Sequence, residues 1–415
     1  MFNVRLMRWI DNQVGNAACS VLATAKRISA PFRSTDTKPP KKIAVVKFFG
    51  IGSIIVASPS LKALRASYPD AEIHFVTFSS NREILEMLDL TDKNWFVDNS
   101  SPGAFAASTL ATANALRAEG IDLMIDFEFF AKFPLVLAGL AGIGRKAGFY
   151  LTQEPWRRTL LDVSGSYNHY FHTKDIFLSL VYLLVTGDLY YLDFEAFRKR
   201  FEYPQVQADD AAVAHVERVL EEKGRKGCRV VVINPNTSPD LAPEVRKWPE
   251  ERYSALARAI LDEHDDTFVV FIGSKSERSY VGSIVKDVDH PRAISIAGEL
   301  TLRQLLALFS IADLFVTNDS GPMHLACLVD TPIVGLFFAD TPTVFAPITS
   351  RAVAVAPQLY SIPLFTVYNG KDVVAGRPVD TIENIAARTV SVERVLGEVR
   401  AMLGEHARPS VASVH

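Results

Sequence analysis

The fold is decided by the stretch LFVTNDSGPMH at residues 314–324, where apolar residues lead into a polar turn and then a helix. The apolar residues predict a buried strand. Ser320 can cap the helix, and Pro322 suits its first turn. Free amide groups and the positive end of a helix dipole at such a turn favour a diphosphate. Asp319 would then accept a hydrogen bond from a sugar, with His324 facing the phosphates. A capped helix with a satisfied core histidine is the alternative.

Strands and helices alternate on both sides of this stretch. Buried strands are predicted at 43–46, 72–76, 123–126, 229–233, 268–272 and 332–337, with helices between them. Such alternation is typical of parallel sheets covered by helices on both faces. The sequence therefore predicts an α/β protein with two Rossmann-like domains that face a central cleft. Ligands of such sheets bind beyond the carboxyl ends of the strands, so the site is expected in that cleft.

Length and composition limit the classes of protein. A chain of 415 residues is too long for one hydrophobic core. The net charge of −3 provides no basic field, so no nucleic acid is expected as a partner. Three widely spaced cysteines argue against disulfides and zinc and fit a cytoplasmic protein. The predicted parts are a helix and linker at 1–40, domains at 41–205 and 206–390, and a helix and tail at 391–415.

The first 30 residues form a segment of their own. One helical face carries the apolar residues Leu6, Ile10, Val14, Ala17, Val21, Ala25 and Ile28. Cations flank that face at Arg5, Arg8, Lys26 and Arg27. Two interpretations stay open: a helix that packs on the body of the protein, and a helix that lies on the anionic surface of the inner membrane.

A second group of polar residues follows the predicted strand 229–233. The loop 234–238 (NPNTS) supplies amide and hydroxyl groups at the end of the strand. Arg246 and Lys247 then precede a helix that Pro249 begins. Adjacent cations at such a junction can neutralise the charge that builds on a leaving diphosphate. Two solvated surface cations are the alternative.

The loop KFFGIGS at residues 47–53 follows the first predicted strand. It contains a GxG, but the third glycine and the acidic residue of a dinucleotide fingerprint are missing. A nicotinamide or flavin enzyme is therefore disfavoured. The triplet Asp287-Val288-Asp289 resembles a metal-binding DxD, but nothing else of a site surrounds it, so no metal is assigned.

These groups, in this order, resemble glycosyltransferase family 9, the ADP-heptose:lipopolysaccharide heptosyltransferases. The resemblance covers about residues 41–350 and a short helix near 392–403, and it rests on the segments 47–53, 59–65, 246–253, 297–302 and 319–326. It implies the GT-B fold, inversion at the transferred sugar, no metal and no cofactor. The residues that match donor-binding positions of the family are Asn236, Thr237, Glu277, Asp319, Ser320, Gly321 and His324. Among these, Glu277 would hold the donor ribose. Arg246 stands where the family usually has lysine, a change that keeps the charge and alters its geometry.

One departure from the family concerns the acceptor-side loop with Gly50, Gly52 and Ser53. The family usually has aspartate after the second glycine, and that aspartate is thought to accept a proton. Serine has no accessible charged form near neutral pH and cannot replace it as a base. Asp126 and Glu128 follow the strand 123–126, and we predict that Glu128, before Asp126, takes the proton. The alternative is that Asp126 caps the next helix and Glu128 is solvated.

The function expected from the resemblance is transfer of a sugar, a heptose or a related one, from a nucleotide diphosphate donor. ADP-heptose is the expected donor, and the expected acceptor is a lipopolysaccharide-like glycolipid or a saccharide. Arg246 and Lys247 would support the donor phosphates. A family member that binds sugar nucleotide or glycolipid without turnover is the alternative, and Ser53 is the residue that keeps it open.

Overall fold

A computed structural model describes residues 4–29, 38–151, 155–237, 246–338, 341–357 and 385–405. The predicted linker residues 30–37, Ser238 and the tail 406–415 lie outside the described residues. The chain divides into two compact units, Met1–Pro204 and Gln205–His415. Within the described part, no helix is both long enough and apolar enough to cross a membrane.

Unit 1 contains a parallel sheet of six strands in the order β3-β2-β1-β4-β5-β6. Its strands are β1 (Lys42–Val46), β2 (Glu72–Phe78), β3 (Lys93–Val97), β4 (Leu123–Asp126), β5 (Arg145–Tyr150) and β6 (Val163–Ser166). Its helices are α1 (Val4–Ser29), α2 (Ile51–Ser67), α3 (Arg82–Leu88), α4 (Pro102–Glu119), α5 (Phe133–Ala141), α6 (Thr173–Thr186) and α7 (Phe194–Arg198). The strand order reverses between β1 and β4, where Val46 is in register with Asp126. A ligand crevice of a doubly wound sheet opens at such a reversal.

Unit 2 repeats this plan with the strand order β12-β11-β10-β7-β8-β9, all parallel. Its strands are β7 (Arg229–Asn234), β8 (Thr267–Phe271), β9 (Ala293–Ser295), β10 (Leu314–Asn318), β11 (Ile333–Leu336) and β12 (Ala352–Val355). Its helices are α8 (Asp210–Glu222), α9 (Glu250–Glu263), α10 (Arg278–Val288), α11 (Leu302–Ile311), α12 (Gly321–Cys327), α13 (Pro342–Phe345), α14 (Ile385–Thr389) and α15 (Val392–Glu405). The order reverses between β7 and β10, where Asn234 pairs with Thr317. The predicted α/β class with two Rossmann-like sheets is confirmed.

Sequence analysis named the central strands and missed β3, β5, β6, β9 and β12. The central strands are continuous apolar runs because helices cover both faces of the sheet. β3, β5 and β6 carry charges, serines or glycines, while β9 has only three residues and β12 only four. Their extended state depends on pairing with a neighbouring strand. In β5, Gly148 lies so close to Asp126 that a Cβ there would meet the Asp126 Cβ at 3.3 Å.

Helix α2 begins at Ile51 and continues through Pro59 to Ser67. Proline within a helix removes one amide donor, here the donor for the carbonyl of Ile55. Ser58 replaces it, since its Oγ donates to the Ile55 carbonyl at 2.6 Å. The helix is therefore continuous from Ile51 to Ser67, in spite of the proline.

Candidate functional site

Buried amide side chains connect the carboxyl ends of β7 and β10 in unit 2. Asn234 Nδ2 donates to Thr317 Oγ1 at 3.2 Å and to Ser320 Oγ at 3.1 Å. Asn318 Nδ2 donates to the carbonyl of Asn236 at 3.3 Å. This network fixes two loops at the point where strand order reverses. The sequence gave no reason to assign Asn318 a role, although it lies within the stretch 314–324 that decides the fold.

Arg246 and Asp319 form a buried ion pair within this edge. Arg246 Nη2 donates to Asp319 Oδ2 at 2.7 Å and to the Asp319 carbonyl at 3.0 Å. The two side chains are only 8% and 10% exposed. The fold thus brings together Arg246 and Asp319, which are 73 positions apart in the sequence. The sequence had predicted a separate role in donor binding for each of them. Since a buried charge needs a partner, each holds the other in place.

His324 lies on the first turns of α12 and is buried. Its Nδ1 has no hydrogen-bond partner among the described residues. Burial lowers the pKa of His324 to about 4, against the opposing charge of Asp319. The ring is therefore neutral near pH 7. Its unpartnered nitrogen differs from the satisfied core histidine that was the alternative.

The cap at the start of α12 differs from the prediction. Ser320 occupies the N-cap position in extended conformation, but its side chain makes no capping hydrogen bond. Its Oγ instead lies in contact with Asn234 and Thr317. The first turn of α12 therefore has no side-chain cap from Ser320, although the amide of Met323 donates to the Ser320 carbonyl at 3.1 Å.

The loop after β7 places two further polar groups at the same edge. Asn236 Oδ1 and Thr237 Oγ1 are buried and have no partner among the described residues. An unpaired buried polar group costs free energy, so both groups fit a ligand that supplies the missing hydrogen bonds. Asn236 Nδ2 is meanwhile held by the carbonyl of Ile272 at 3.0 Å.

Glu277 lies next to this loop on the far side of β8. A Cβ on Gly273 would meet Asn236 Nδ2 at 2.8 Å and Glu277 Cβ at 3.4 Å, so only glycine allows this approach. Glu277 Oε2 accepts from the amide of Ser274 at 2.8 Å as part of a capping box. One carboxylate oxygen thus has a structural task. Lys247 Nζ lies over the ring of Tyr280, 4.3 Å from its centroid.

In unit 1, the loop between β1 and α2 is held by Glu128. Glu128 Oε1 accepts from Lys47 Nζ at 2.8 Å and from the amides of Phe48 and Phe49 at 2.8 and 3.0 Å. The side chain is fully buried, and Oε2 has no partner among the described residues. Glu128 is not solvated, so that alternative is wrong. Gly50 ends the loop with a φ of 83°, a conformation that favours glycine.

Asp126 is buried beside Arg157, a residue that sequence analysis missed. Arg157 pairs with Asp126 and also donates to the carbonyls of Ala131, Glu128 and Phe149. Burial raises the pKa of Asp126 to about 7, and Arg157 opposes that rise. Asp126 therefore braces the loop after β4 and does not cap α5. Arg157 lies in an aromatic-rich segment without clear periodicity, so no sequence pattern marked it.

A separate cluster lies at the amino end of β2, away from these loops. Glu72, His74 and Glu119 are close enough to hold a metal ion. Lys93 Nζ lies 2.8 Å from Glu72 and 3.0 Å from Glu119, which balances both charges. Trp95 Nε1 donates to His74 Nδ1 at 3.0 Å. The neutral ring then carries its proton on Nε2 and offers no lone pair there, so the donor set does not suit a metal.

The triplet at 287–289 ends a helix. Asp287 pairs with Arg258 at 3.0 Å and is 57% exposed. Asp289 terminates α10 with a φ of 48°. The two carboxylates thus have the structural positions expected of a solvated helix end.

Solved structures with the same fold include Escherichia coli ADP-heptose lps heptosyltransferase II. It aligns with a TM-score of 0.68 and 19% identity, over 88% of this chain and 99% of that chain. The E. coli heptosyltransferase WaaC, solved with ADP, aligns with a TM-score of 0.60 and 15% identity, over 87% and 99%. At such identities the likeness concerns the fold, which is GT-B.

Comparison of the amino-acid sequence with other proteins indicates which family the chain resembles. The sequence model of glycosyltransferase family 9 (heptosyltransferase) matches residues 192–369. Lipopolysaccharide heptosyltransferase 3 of E. coli is 22% identical over 306 residues, which are 73% of this chain and 84% of that protein. The lipopolysaccharide core heptosyltransferase OpsX of Haemophilus influenzae is 34% identical over 113 residues, 26% of this chain and 31% of that protein. The chain is therefore similar to glycosyltransferase family 9 over residues 192–369.

Proposed function

We propose that this glycosyltransferase moves a heptose from ADP-heptose to a lipopolysaccharide-like acceptor, with inversion and without a metal. The observation that carries the proposal is the group of unpartnered buried polar atoms at the carboxyl edge of unit 2: Asn236 Oδ1, Thr237 Oγ1 and His324 Nδ1. They lie on the segments that follow β7 and β10, where the sheet reverses its strand order, and Arg246 and Asp319 of the same two segments form an ion pair. Relatives named lipopolysaccharide heptosyltransferases support the choice of sugar and acceptor.

In this proposal the donor diphosphate binds at the first turn of α12, on amides that Ser320 leaves unoccupied. Arg246 shares its charge between Asp319 and the diphosphate, with Lys247 as the second cation. These cations replace the metal that would otherwise neutralise the leaving group. Thr237 and Asn236 bond the phosphate oxygens, and the second carboxylate oxygen of Glu277 bonds the ribose. An acceptor hydroxyl attacks the anomeric carbon from the face opposite ADP, which inverts the sugar.

The acceptor hydroxyl must lose a proton, and Ser53 cannot take it. Glu128 is the proposed proton acceptor through Oε2, the oxygen without a partner. Glu128 is completely buried. Its other carboxylate oxygen, Oε1, holds the loop of Lys47, Phe48 and Phe49. Proton abstraction requires that the acceptor hydroxyl reach Oε2. Asp126 contributes by bracing the loop that carries Glu128.

The proposed site of action is the cytoplasmic side of the inner membrane, because the acceptor class is a glycolipid. The sequence of helix α1 supports this location, since it contains four cations and one carboxylate, that of Asp11. A lipid-linked acceptor reaches a peripheral enzyme most easily at the membrane surface.

A thermal-shift screen followed by a transfer assay tests the proposed donor. ADP and ADP-heptose should raise the melting temperature, because a ligand that binds only the folded state stabilises it by mass action. UDP should raise it less. Thr237→Val should weaken the response to ADP, and the matched control Thr331→Val, a buried threonine bonded to the Phe309 carbonyl, should keep it. No stabilisation by ADP would contradict the donor, while stabilisation without transfer would indicate a binding-only relative.

A further inference from the structure

Helix α1 packs against unit 1 at the point where the loop after β4 ends. The carboxylate of Asp11 accepts hydrogen bonds from the amides of Lys132 and Phe133 at 2.8 to 3.0 Å, and it lies 4.0 Å from Lys132 Nζ. Asn12 Oδ1 accepts from the same Nζ at 3.1 Å. On the next turn of the helix, a Cβ on Gly15 would meet Lys132 Cβ at 2.9 Å. Three residues of α1 therefore converge on Lys132.

The loop between β4 and α5 carries Glu128 and ends at Lys132. Its first amide donates to the carbonyl of the last residue of β1 at 3.1 Å. Arg157 donates to the carbonyls of Glu128 and Ala131. The start and the middle of the loop are thus attached to the body of unit 1, and α1 attaches its end.

Charge explains why the end of this loop needs a carboxylate from α1. Three ion pairs lie along the loop: Lys47–Glu128, Arg157–Asp126 and Lys132–Asp11. None of the six side chains is more than 20% exposed. Burial raises the pKa of Asp11, and the charges of Lys132 and Arg157 oppose that rise, so Asp11 interacts with both cations. A neutral residue in place of Asp11 leaves the buried charge of Lys132 without a carboxylate partner, which is unfavourable.

We propose that Asp11 and Gly15 of α1 are positioning residues for Glu128, the proposed proton acceptor. They hold Lys132 at the end of the loop, and the loop sets where Glu128 Oε2 meets the acceptor hydroxyl. This role rests on the proposed function and deepens it, since it identifies the residues that keep the base in place. A displacement of about 1 Å near a reacting group can lower a rate by roughly a hundredfold, so the support from α1 affects the reaction itself.

Two substitutions in α1 disturb Lys132 in different ways. Asp11→Asn keeps an acceptor oxygen for the two amides and removes the negative charge. Gly15→Ala keeps every charge and adds a methyl group that collides with Lys132 Cβ. Alanine also favours a helix more than glycine does, so a loss of rate in Gly15→Ala cannot come from a weaker α1.

Transfer by the full chain, measured in double-mutant cycles with Glu128→Gln, tests the proposal. Asp11→Asn and Gly15→Ala should each lower kcat by about tenfold and leave the KM for ADP-heptose unchanged. In the Glu128→Gln background neither should lower kcat further, because the group that they position is already absent. Gln13→Ala changes an exposed residue of the same helix and should leave kcat unchanged in both backgrounds.

Two kinetic results would overturn the proposal. Losses that multiply in the double variants would show that α1 acts independently of Glu128, as a purely structural element does. Wild-type kcat in both Asp11→Asn and Gly15→Ala would show that contact with Lys132 does not position the loop.

Hydrogen exchange gives a second measurement that does not depend on transfer. The amides of Phe48 and Phe49 donate to Glu128 Oε1, so their exchange should rise by about tenfold in both α1 variants. The amide of Ile73, at the amino end of β2, should keep its protection. An equal rise at Ile73 would indicate general destabilisation, and no rise at Phe48 and Phe49 would contradict positioning. If the wild type transfers no sugar, the proposed function fails, while the exchange still decides whether α1 positions Glu128.

Discussion

The guanidinium of Arg246 and the carboxylate of Asp319 are buried against each other, with 2.7 Å between Nη2 and Oδ2. Neither can be removed without leaving the other charge buried and unpaired. The proposed donor site is therefore also a structural element of unit 2. For substitutions of Arg246 or Asp319, both the free energy of unfolding and the rate of sugar transfer must therefore be measured.

Asp319→Ala should lower the free energy of unfolding by about 3 kcal/mol, because Arg246 then lacks its partner. Transfer should fall by about a hundredfold, since Arg246 is no longer held for the leaving diphosphate. Arg246→Lys keeps the charge and should cost far less in both measurements. The control Asp265→Ala breaks an exposed pair with Arg292 and should change stability by at most about 0.5 kcal/mol. Denaturant titration and transfer rates check these values, and wild-type turnover in Asp319→Ala would contradict the donor assignment.

His324 should make the stability of the protein depend on pH. Its pKa is about 4 in the folded chain against 6.5 for an unperturbed histidine, because burial disfavours the charged ring. The unfolded chain binds this proton first as pH falls, so stability decreases between about pH 6.5 and pH 4, by at most about 1.4 kcal/mol per unit. His324→Gln should flatten that part of the profile. Met323→Leu, a buried neighbour without a titrating group, should shift the whole profile instead. A slope that survives His324→Gln belongs to another group.

Glu128→Gln separates proton abstraction from support of the loop. Glutamine still accepts from the amides of Phe48 and Phe49, but it no longer balances Lys47. If Glu128 is the base, we expect Glu128→Gln to lose transfer by at least about a hundredfold. Lys47→Met removes the same ion pair and leaves the carboxylate, so it should retain more activity. Equal, modest losses in both variants would show that Glu128 only positions the loop. A large gain in Ser53→Asp would indicate an attenuated relative, and single-turnover rates distinguish these cases.

Asp11→Ala should loosen α1 from unit 1. The substitution removes the acceptor for two amides at the start of α5, a loss worth about 1 kcal/mol for a helix cap. Hydrogen exchange should rise in α1 and in the first turn of α5. The control Gln13→Ala changes an exposed residue of the same helix and should leave exchange unchanged. Unaltered protection in Asp11→Ala would mean that Leu22 and Lys26 hold the helix without the cap.

The sequence alone determined the class of fold and the position of the donor motif. Continuous apolar runs such as 229–233 and 314–316 can only be strands buried on both faces, and a polar turn after such a strand lies at the carboxyl edge of the sheet. Local chemistry also marked Asp319 and His324. Buried strands and polar turns depend on residues that are neighbours in the chain, so the local sequence is enough to predict them.

Tertiary structure decided which of the marked residues meet. The Arg246–Asp319 pair, the three donors on Glu128 and the cap of α5 by Asp11 all join residues far apart in sequence. The structural role of Arg157 is evident only in the folded protein, where its guanidinium contacts four acceptors. The sequence also gave α1 an apolar stripe but not the side by which it packs. That side depends on the cap site and on Gly139 in α5, because burial is a property of the surface against which a helix lies.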